Sequence, residues 1–298
     1  MSASACELRN MNQGSPDCDF KIGIFDHIIT TVDTGVSISV SDQRQIFAYL
    51  RTKSEEADPL KRFYPVTAMI EQVEDTSTEA TMGSLDRGYE EKMVEGRFKY
   101  RLKYPSRIFR DRNLQKLDGF TGGAFFINSD NMVLGARNVD GSMSPFDVTI
   151  YADGGGPSAS GGDIKTFDLL IDLGAKSKFI NQVTTVKLRD IDRVNTLKGF
   201  RDVELLVLSV ETGTATVQLV TAGDNINLYD NYNAKFGIAD NWRVDGVKPT
   251  AVTADSAQKA FKITVGTGTH EINIAPVDVL IAAGVKGFEG IPVTVTAV

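Results

Sequence analysis

The sequence predicts a mainly β protein in two domains, and three observations carry that reading. The run Phe98, Tyr100, Leu102, Tyr104 alternates with Arg97, Lys99, Arg101, Lys103, the period-two pattern of a strand with one dry and one wet face. Only one stretch before residue 200 shows a clear apolar stripe at helical spacing, Ile46, Phe47 and Leu50 with Tyr49 between. After Arg201, short runs rich in Val and Thr are parted by glycine turns such as Glu211 to Gly213, Ala222 to Asp224 and Gly266 to Gly268. The 298 residues exceed an ordinary domain of about 100 to 150, so a division into 1–200 and 201–298 is expected.

The elements follow in order. Residues 1 to 20 read as an arm, because Asn10, Asn12, Gly14, Ser15 and Pro16 oppose regular structure. Lys21 to Val40 reads as two strands parted by Asp33 to Gly35, the second alternating Val36, Ile38 and Val40 with serines. Ser41 is placed to cap a helix that ends near Glu56, before Asp58-Pro59. Val66 to Tyr104 then forms a long hairpin whose tip holds Gly83 and Gly88. Between Glu71 and Glu95 it carries eight acids (Glu71, Glu74, Asp75, Glu79, Asp86, Glu90, Glu91, Glu95) against Arg87 and Lys92, whereas Arg97 to Lys116 carries eight bases and one acid, Asp111. Surfaces of opposite sign on one domain are self-complementary, and copies could join through them head to tail.

Further on, Ala124 to Ile127, Met132 to Leu134 and Val148 to Tyr151 read as strands, and Phe167, Leu169 and Ile171 face away from Asp168, Leu170 and Asp172. Lys187 to Lys198 reads as a link. Val203 to Val210, Ala215 to Val220, Arg243 to Val244, Ala260 to Val265, Glu271 to Ile274 and Ile291 to Val298 read as strands around the single Trp242, which suits an Ig-like sandwich; Val277 to Ala283 reads as a short helix.

Apolar residues make up 42% and charged residues 24%, and no apolar run approaches the ~20 residues that span a bilayer, so no membrane partner is expected. The start has neither a basic n-region nor an apolar h-region, so no Sec signal peptide is expected. A formal charge of -7 argues against a dedicated nucleic-acid binder but suits a wall past which DNA slides without being trapped. Cys6 and Cys18, with only His27 and His270, cannot supply a structural zinc site; the cysteines read as reduced, and a disulfide between them requires an extracellular particle.

Motifs for chemistry are lacking. Asp130, Asn131 and Asp140-Gly141 lack the register and closing Glu of a calcium loop. The segment Asp153 to Gly162 leads into a strand, lacks GK[ST] and lacks G-x-S-x-G, so it reads as a hairpin loop and neither a phosphate cradle nor a nucleophile elbow. The scattered carboxylates define no glycosidase pair. No catalytic residue, cofactor or metal is expected.

The arm with Cys6, Gly14, Pro16 and Cys18, the strand and turn Phe125-Phe126-Ile127-Asn128-Ser129-Asp130-Asn131, the Asp140-Gly141 turn and the closing Gly284-Val-Lys-Gly-Phe-Glu289 resemble structural proteins of phages and prophages of Bacteroidetes-type hosts. The order of parts resembles the tail tube proteins of tailed bacteriophages. That resemblance implies two packed antiparallel sheets, as a sandwich or barrel, with one flanking helix. It implies six copies in a ring, rings stacked into a tube for DNA, contacts to other virion proteins, and a location in the virion after synthesis in host cytoplasm. The hairpin would reach a neighbouring ring, with Glu71, Glu74, Asp75, Arg97, Lys99, Arg101 and Lys103 as the assembly interface, and residues 201 to 298 would decorate the outside. Capsid decoration, a connector role, a surface Ig-like adhesin and a carbohydrate-binding module stay open as alternatives.

Overall fold

The computed structural model describes residues 25–39, 43–66, 68–84, 90–154, 165–189, 194–197 and 199–297. The N-terminal arm with its two cysteines, the Ser41 cap, the hairpin tip at 85–89, the glycine-rich segment 155–164 and part of the 187–198 link lie outside the described residues. The fold is mainly β, with curled antiparallel sheets and few helices. The chain divides into two compact units, Met1–Lys198 and Gly199–Val298.

The first unit runs β1 (Phe25–Thr31), α1 (Gln43–Ser54), β2 (Phe63–Val66), β3 (Gln72–Asp75), β4 (Thr81–Ser84), β5 (Glu90–Val94), β6 (Arg97–Pro105), α2 (Ile108–Gln115), β7 (Phe120–Asn128), β8 (Met132–Arg137), β9 (Met143–Ser144), β10 (Phe146–Asp153), β11 (Thr166–Ala175), α3 (Lys176–Gln182) and β12 (Val183–Lys187). One large sheet branches at β7. That strand holds β1 antiparallel along one edge, while its other edge pairs with β10 through Phe120 to Ala124 and with β8 through Phe126 and Ile127. From β10 the sheet continues through β11 and β6 to β3, and from β8 to β12; among the described residues β4 and β5 pair only with each other.

β7 explains why Ala124 to Ile127 reads as an unbroken apolar run. Ala124 and Phe126 enter a core with Phe25, Ile28, Tyr100, Leu102 and Leu169, whereas Phe125 and Ile127 enter a second core with Ile29, Ile46, Leu50, Phe63 and Val133. A strand covered on both faces has no wet side and loses its alternation. Each such phenylalanine contributes about 1.5–3 kcal/mol by leaving water.

Helix α1 puts Ile46 and Leu50 into the second core, as its stripe predicts. Beyond its end Arg62 is buried, 1% exposed, and donates from Nε to the Glu56 carbonyl at 2.7 Å and from Nη2 to the Ala57 carbonyl at 2.9 Å. The guanidinium thus supplies donors to backbone carbonyls of the turn that follows the helix, the partner such buried polar groups need.

The strand expected over Val36 to Val40 is reduced to one bridge, in which Ile38 exchanges both backbone hydrogen bonds with Met143. Its partner β9 is two residues long, so the ladder has nowhere to continue. Helices α2 and α3 depart from the expectation of one helix in this unit. Neither shows an apolar stripe in sequence, and among the described side chains of α2 Leu114 is buried.

The second unit runs β13 (Arg201–Glu211), β14 (Thr214–Thr221), α4 (Tyr229–Phe236), β15 (Trp242–Val244), β16 (Val252–Asp255), β17 (Ala260–Thr264), β18 (Gly268–Ile274), α5 (Val277–Ala282), β19 (Phe288–Gly290) and β20 (Val293–Ala297). Sheet β16-β17-β14-β13-β19 and sheet β15-β18-β20 share one core, into which Phe236 of α4 and Leu280 of α5 also pack. Trp242 is wholly buried and its indole N–H donates to the Phe236 carbonyl at 2.6 Å, the polar partner a buried tryptophan needs. β19 lies parallel to β13, pairing Arg201 with Phe288 and Val203 with Gly290. Among the described residues no helix is long and apolar enough to cross a membrane.

Candidate assembly surface

The long hairpin forms with β3 and β6 as its arms, pairing Gln72 with Lys103 and Asp75 with Tyr100. A bridge from Thr78 to Arg97 extends it, and the chain then leaves the large sheet as the separate ribbon β4–β5. The alternation of β6 is realised: Tyr100, Leu102 and Tyr104 are buried, Phe98 packs against the same core, and the four bases face outward. Burial, with the charge of Asp75 adding to it, pushes the Tyr100 phenol up to about 12.

The outward bases find acids within their own chain. Arg97 reaches Asp172 at 3.0 Å and Lys99 reaches the same carboxylate at 3.6 Å, while Arg101 lies 3.8 Å from Asp168 and Lys103 3.0 Å from Glu74. The acids lie on the strands flanking β6, so acid, base and acid columns run side by side across β3, β6 and β11. Opposite charges across a pleated face stabilise register by roughly 0.2–1 kcal/mol per pair. The row is therefore a lock on strand register whose charge is largely met before any neighbour arrives. Of the other expected interface residues, Glu71 is exposed and continues the ladder by donating its backbone N–H to Lys103 at 2.9 Å. Asp75 lies on the side of β3 opposite Glu74, and hydrogen bonds from Ser77 hold its carboxyl below the usual range.

What sequence reading missed is the anchor beneath the ribbon. Lys176, at the start of α3, ion-pairs Glu79 at 2.8 Å, lies over the Phe98 ring at 5.5 Å and donates its backbone N–H to the Gly96 carbonyl. Glu95 accepts the Ser177 backbone N–H at 3.1 Å; hydrogen bonding from Ser177 holds this carboxyl low. Gly96 must be glycine, because a Cβ there would stand 2.6 Å from the Thr78 carbonyl oxygen. These contacts join residues some eighty positions apart, and the sequence signal that could have exposed them is the glycine between two charged runs. Beyond this root the ribbon exposes Met82, Met93 and Val94, at 52%, 69% and 59%. A register shift between Thr81 and Met82 leaves Met93 as the extra residue. An isolated two-stranded ribbon is marginal in water, and apolar side chains on it ask for cover.

The far end of β6 is basic. Ser106 donates its backbone N–H to the Lys165 carbonyl at 2.8 Å, which brings exposed Lys165 beside exposed Arg107, and α2 adds exposed Arg112 with Lys116 just past it. Asp111 is turned inward, accepting from the Ser106 hydroxyl and from the Arg107 backbone N–H at 3.0 Å. Asp118 accepts the Ala152 N–H at 3.0 Å.

Among the described residues no three His, Cys, Asp or Glu side chains converge to hold a metal ion. In comparisons with known proteins, the sequence matches no family model and no curated protein.

Proposed function

We propose that this chain is a non-enzymatic structural subunit of a phage virion that assembles with copies of itself into rings, six to a ring, which stack into a tube through which DNA passes without specific binding. The observation that carries the reading is the anchored ribbon: a hairpin that leaves its sheet, is pinned at its root by Lys176 and Ser177, and presents Met82, Met93 and Val94 to the outside. A subunit that works alone has no use for such a projection, and a subunit that must touch a copy does. The resemblance to tail tube proteins supplies the ring and the tube, and the charge of -7 suits a wall that repels phosphate. In this reading other virion proteins meet the ends of the tube and the Gly199–Val298 unit decorates its outside as an Ig-like module.

Negative-stain microscopy of the purified protein tests this. Rings or stacked rings are expected at low salt; particles of one-chain size at every concentration and salt would overturn the reading.

A further inference from the structure

Independently of the assembly reading, the geometry points to the unpaired edge of β13 as a docking lane for an extended segment of another protein, apolar at its centre with Lys or Arg at its ends. The chain fills the start of this lane itself: β19 pairs with Arg201 to Val203 and stops there. The Arg201 N–H donates to the Gly287 carbonyl and the Val203 carbonyl accepts from the Ile291 N–H, each at 2.8 Å, while the Asp202 carbonyl faces the other way and accepts from the Ala222 N–H at 2.8 Å. By that alternation Leu205 and Val207 aim their N–H and C=O groups into the lane, and among the described residues no strand pairs with them there. A row of such groups is matched by the backbone of one more strand.

The side chains ask for the same cover. Val203 and Leu205 lie in the core at 0% and 6% exposure, but Val207, the next on that face, is 39% exposed. A register shift makes Leu208 an extra residue, and Leu206 and Leu208 are 42% and 46% exposed. Consecutive apolar side chains left in water beside an unpaired edge are what an added strand covers. From Leu205 to Glu211 the lane is roughly 20 Å long at about 3.3 Å per residue. Charge selects the occupant. Residues 199 to 298 carry eleven acids against seven bases, and exposed Glu211 at the end of the lane makes no ion pair among the described residues. A second copy brings the same excess of acid and, laid antiparallel, sets its own bulge against this one. A segment with Lys or Arg beside Glu211 meets opposite charge and brings no bulge.

The full-length chain and a fluorescein-labelled synthetic peptide, Lys-Val-Thr-Val-Thr-Val-Lys, test this by fluorescence anisotropy, which reads binding whether the chain is single or assembled. Saturable binding is expected, severalfold weaker for a peptide with Glu in place of both Lys and absent for one with Pro in place of the central Val, which removes a backbone donor. Val207→Pro in the protein should abolish binding, because the N–H it removes faces the lane and not β14. Should that variant melt early, Leu206→Lys with Leu208→Lys replaces it under the same readout. Glu211→Lys should reverse the preference between the Lys and Glu peptides. Wild type that binds neither peptide, or variants of the lane that bind the Lys peptide as well as wild type does, overturn the inference. Covalent pairs formed on mild oxidation by Leu208→Cys and not by wild type would place a second copy in the lane and overturn the choice of occupant. None of these outcomes depends on whether rings form, so the assembly reading stands or falls separately.

Discussion

Arg97 and Asp172 form a forked ion pair across two neighbouring strands, with Nε 3.2 Å from both carboxylate oxygens and Nη2 3.0 Å from Oδ1. Asp172 also accepts the Gly174 N–H at 2.8 Å where β11 shifts register, so one carboxylate holds a strand pairing and its irregularity together. Replacing Asp172 with Asn is expected to cost the first unit about 1–2 kcal/mol, measured by denaturant unfolding, since charge-assisted bonds are lost at a partly shielded site.

The same carboxylate sets an acid limit. Burial pushes Asp172 up, but hydrogen bonds from Arg97 and Gly174 and the charges of Arg97 and Lys99 outweigh it and hold the group below its ordinary 3.8. A depressed folded value means that its stabilisation is present above an unfolded value near 3.8 and is lost as pH falls through the lower folded value. Stability of the wild type should therefore drop on acidification below about pH 4 more steeply than that of Asp172→Asn; equal slopes would refute this.

In the second unit the turn Asp245-Gly246 has positive φ at both positions, 52° and 77°, the conformation of a tight hairpin turn. Asp245 there accepts from His270 Nδ1 at 2.7 Å and from the Glu271 N–H at 2.8 Å. The bond to Asp245 raises the His270 value above 6.5. A raised folded value gives stability that is complete below the unfolded 6.5 and is lost as pH rises through the folded value. Imidazole proton NMR followed against pH should show the His270 midpoint above 6.5, and Asp245→Asn should move it down.

Gly96→Ala should detach the ribbon from its root. The new Cβ meets the Thr78 carbonyl oxygen at 2.6 Å and the Ala80 nitrogen at 3.1 Å, both backbone atoms that cannot swing away. A loss of about 1–3 kcal/mol is expected, and amide exchange should rise in β4 and β5 more than in β7. Unchanged exchange there would show that the root does not hold the ribbon.

Residues 199 to 298 expressed alone should unfold cooperatively, because both sheets and two helices share a single core around Trp242. A broad transition followed by tryptophan fluorescence would refute it.

Local pattern carried much of this fold. The alternation of Arg97 to Tyr104 and of Phe167 to Asp172 announced two neighbouring strands and the face each buries, and the stripe through Ile46 and Leu50 announced α1. Helix α4 was hidden, because Asp230, Asn231 and Asn233 are poor helix formers and the element is held by burying Tyr229 and Phe236. Strands β16 and β19 are too short to show a period. The candidate surface was half legible. The charge runs stood in plain view, but their partners Asp168 and Asp172 lie some seventy residues downstream, and only the topology that sets β11 beside β6 turns a row of free bases into a closed lock.

The parallel pair β13–β19 has a consequence for the order in which a growing chain can settle. Arg201 donates its N–H to the Gly287 carbonyl, and Val203 pairs with Gly290, so the opening strand of the second unit takes its neighbour from a segment synthesised almost ninety residues later. Until that segment has left the ribosome, Val203 near the start of β13 has β14 on one side and no strand on the other. At elongation rates of about 5–20 residues per second, that interval lasts several seconds.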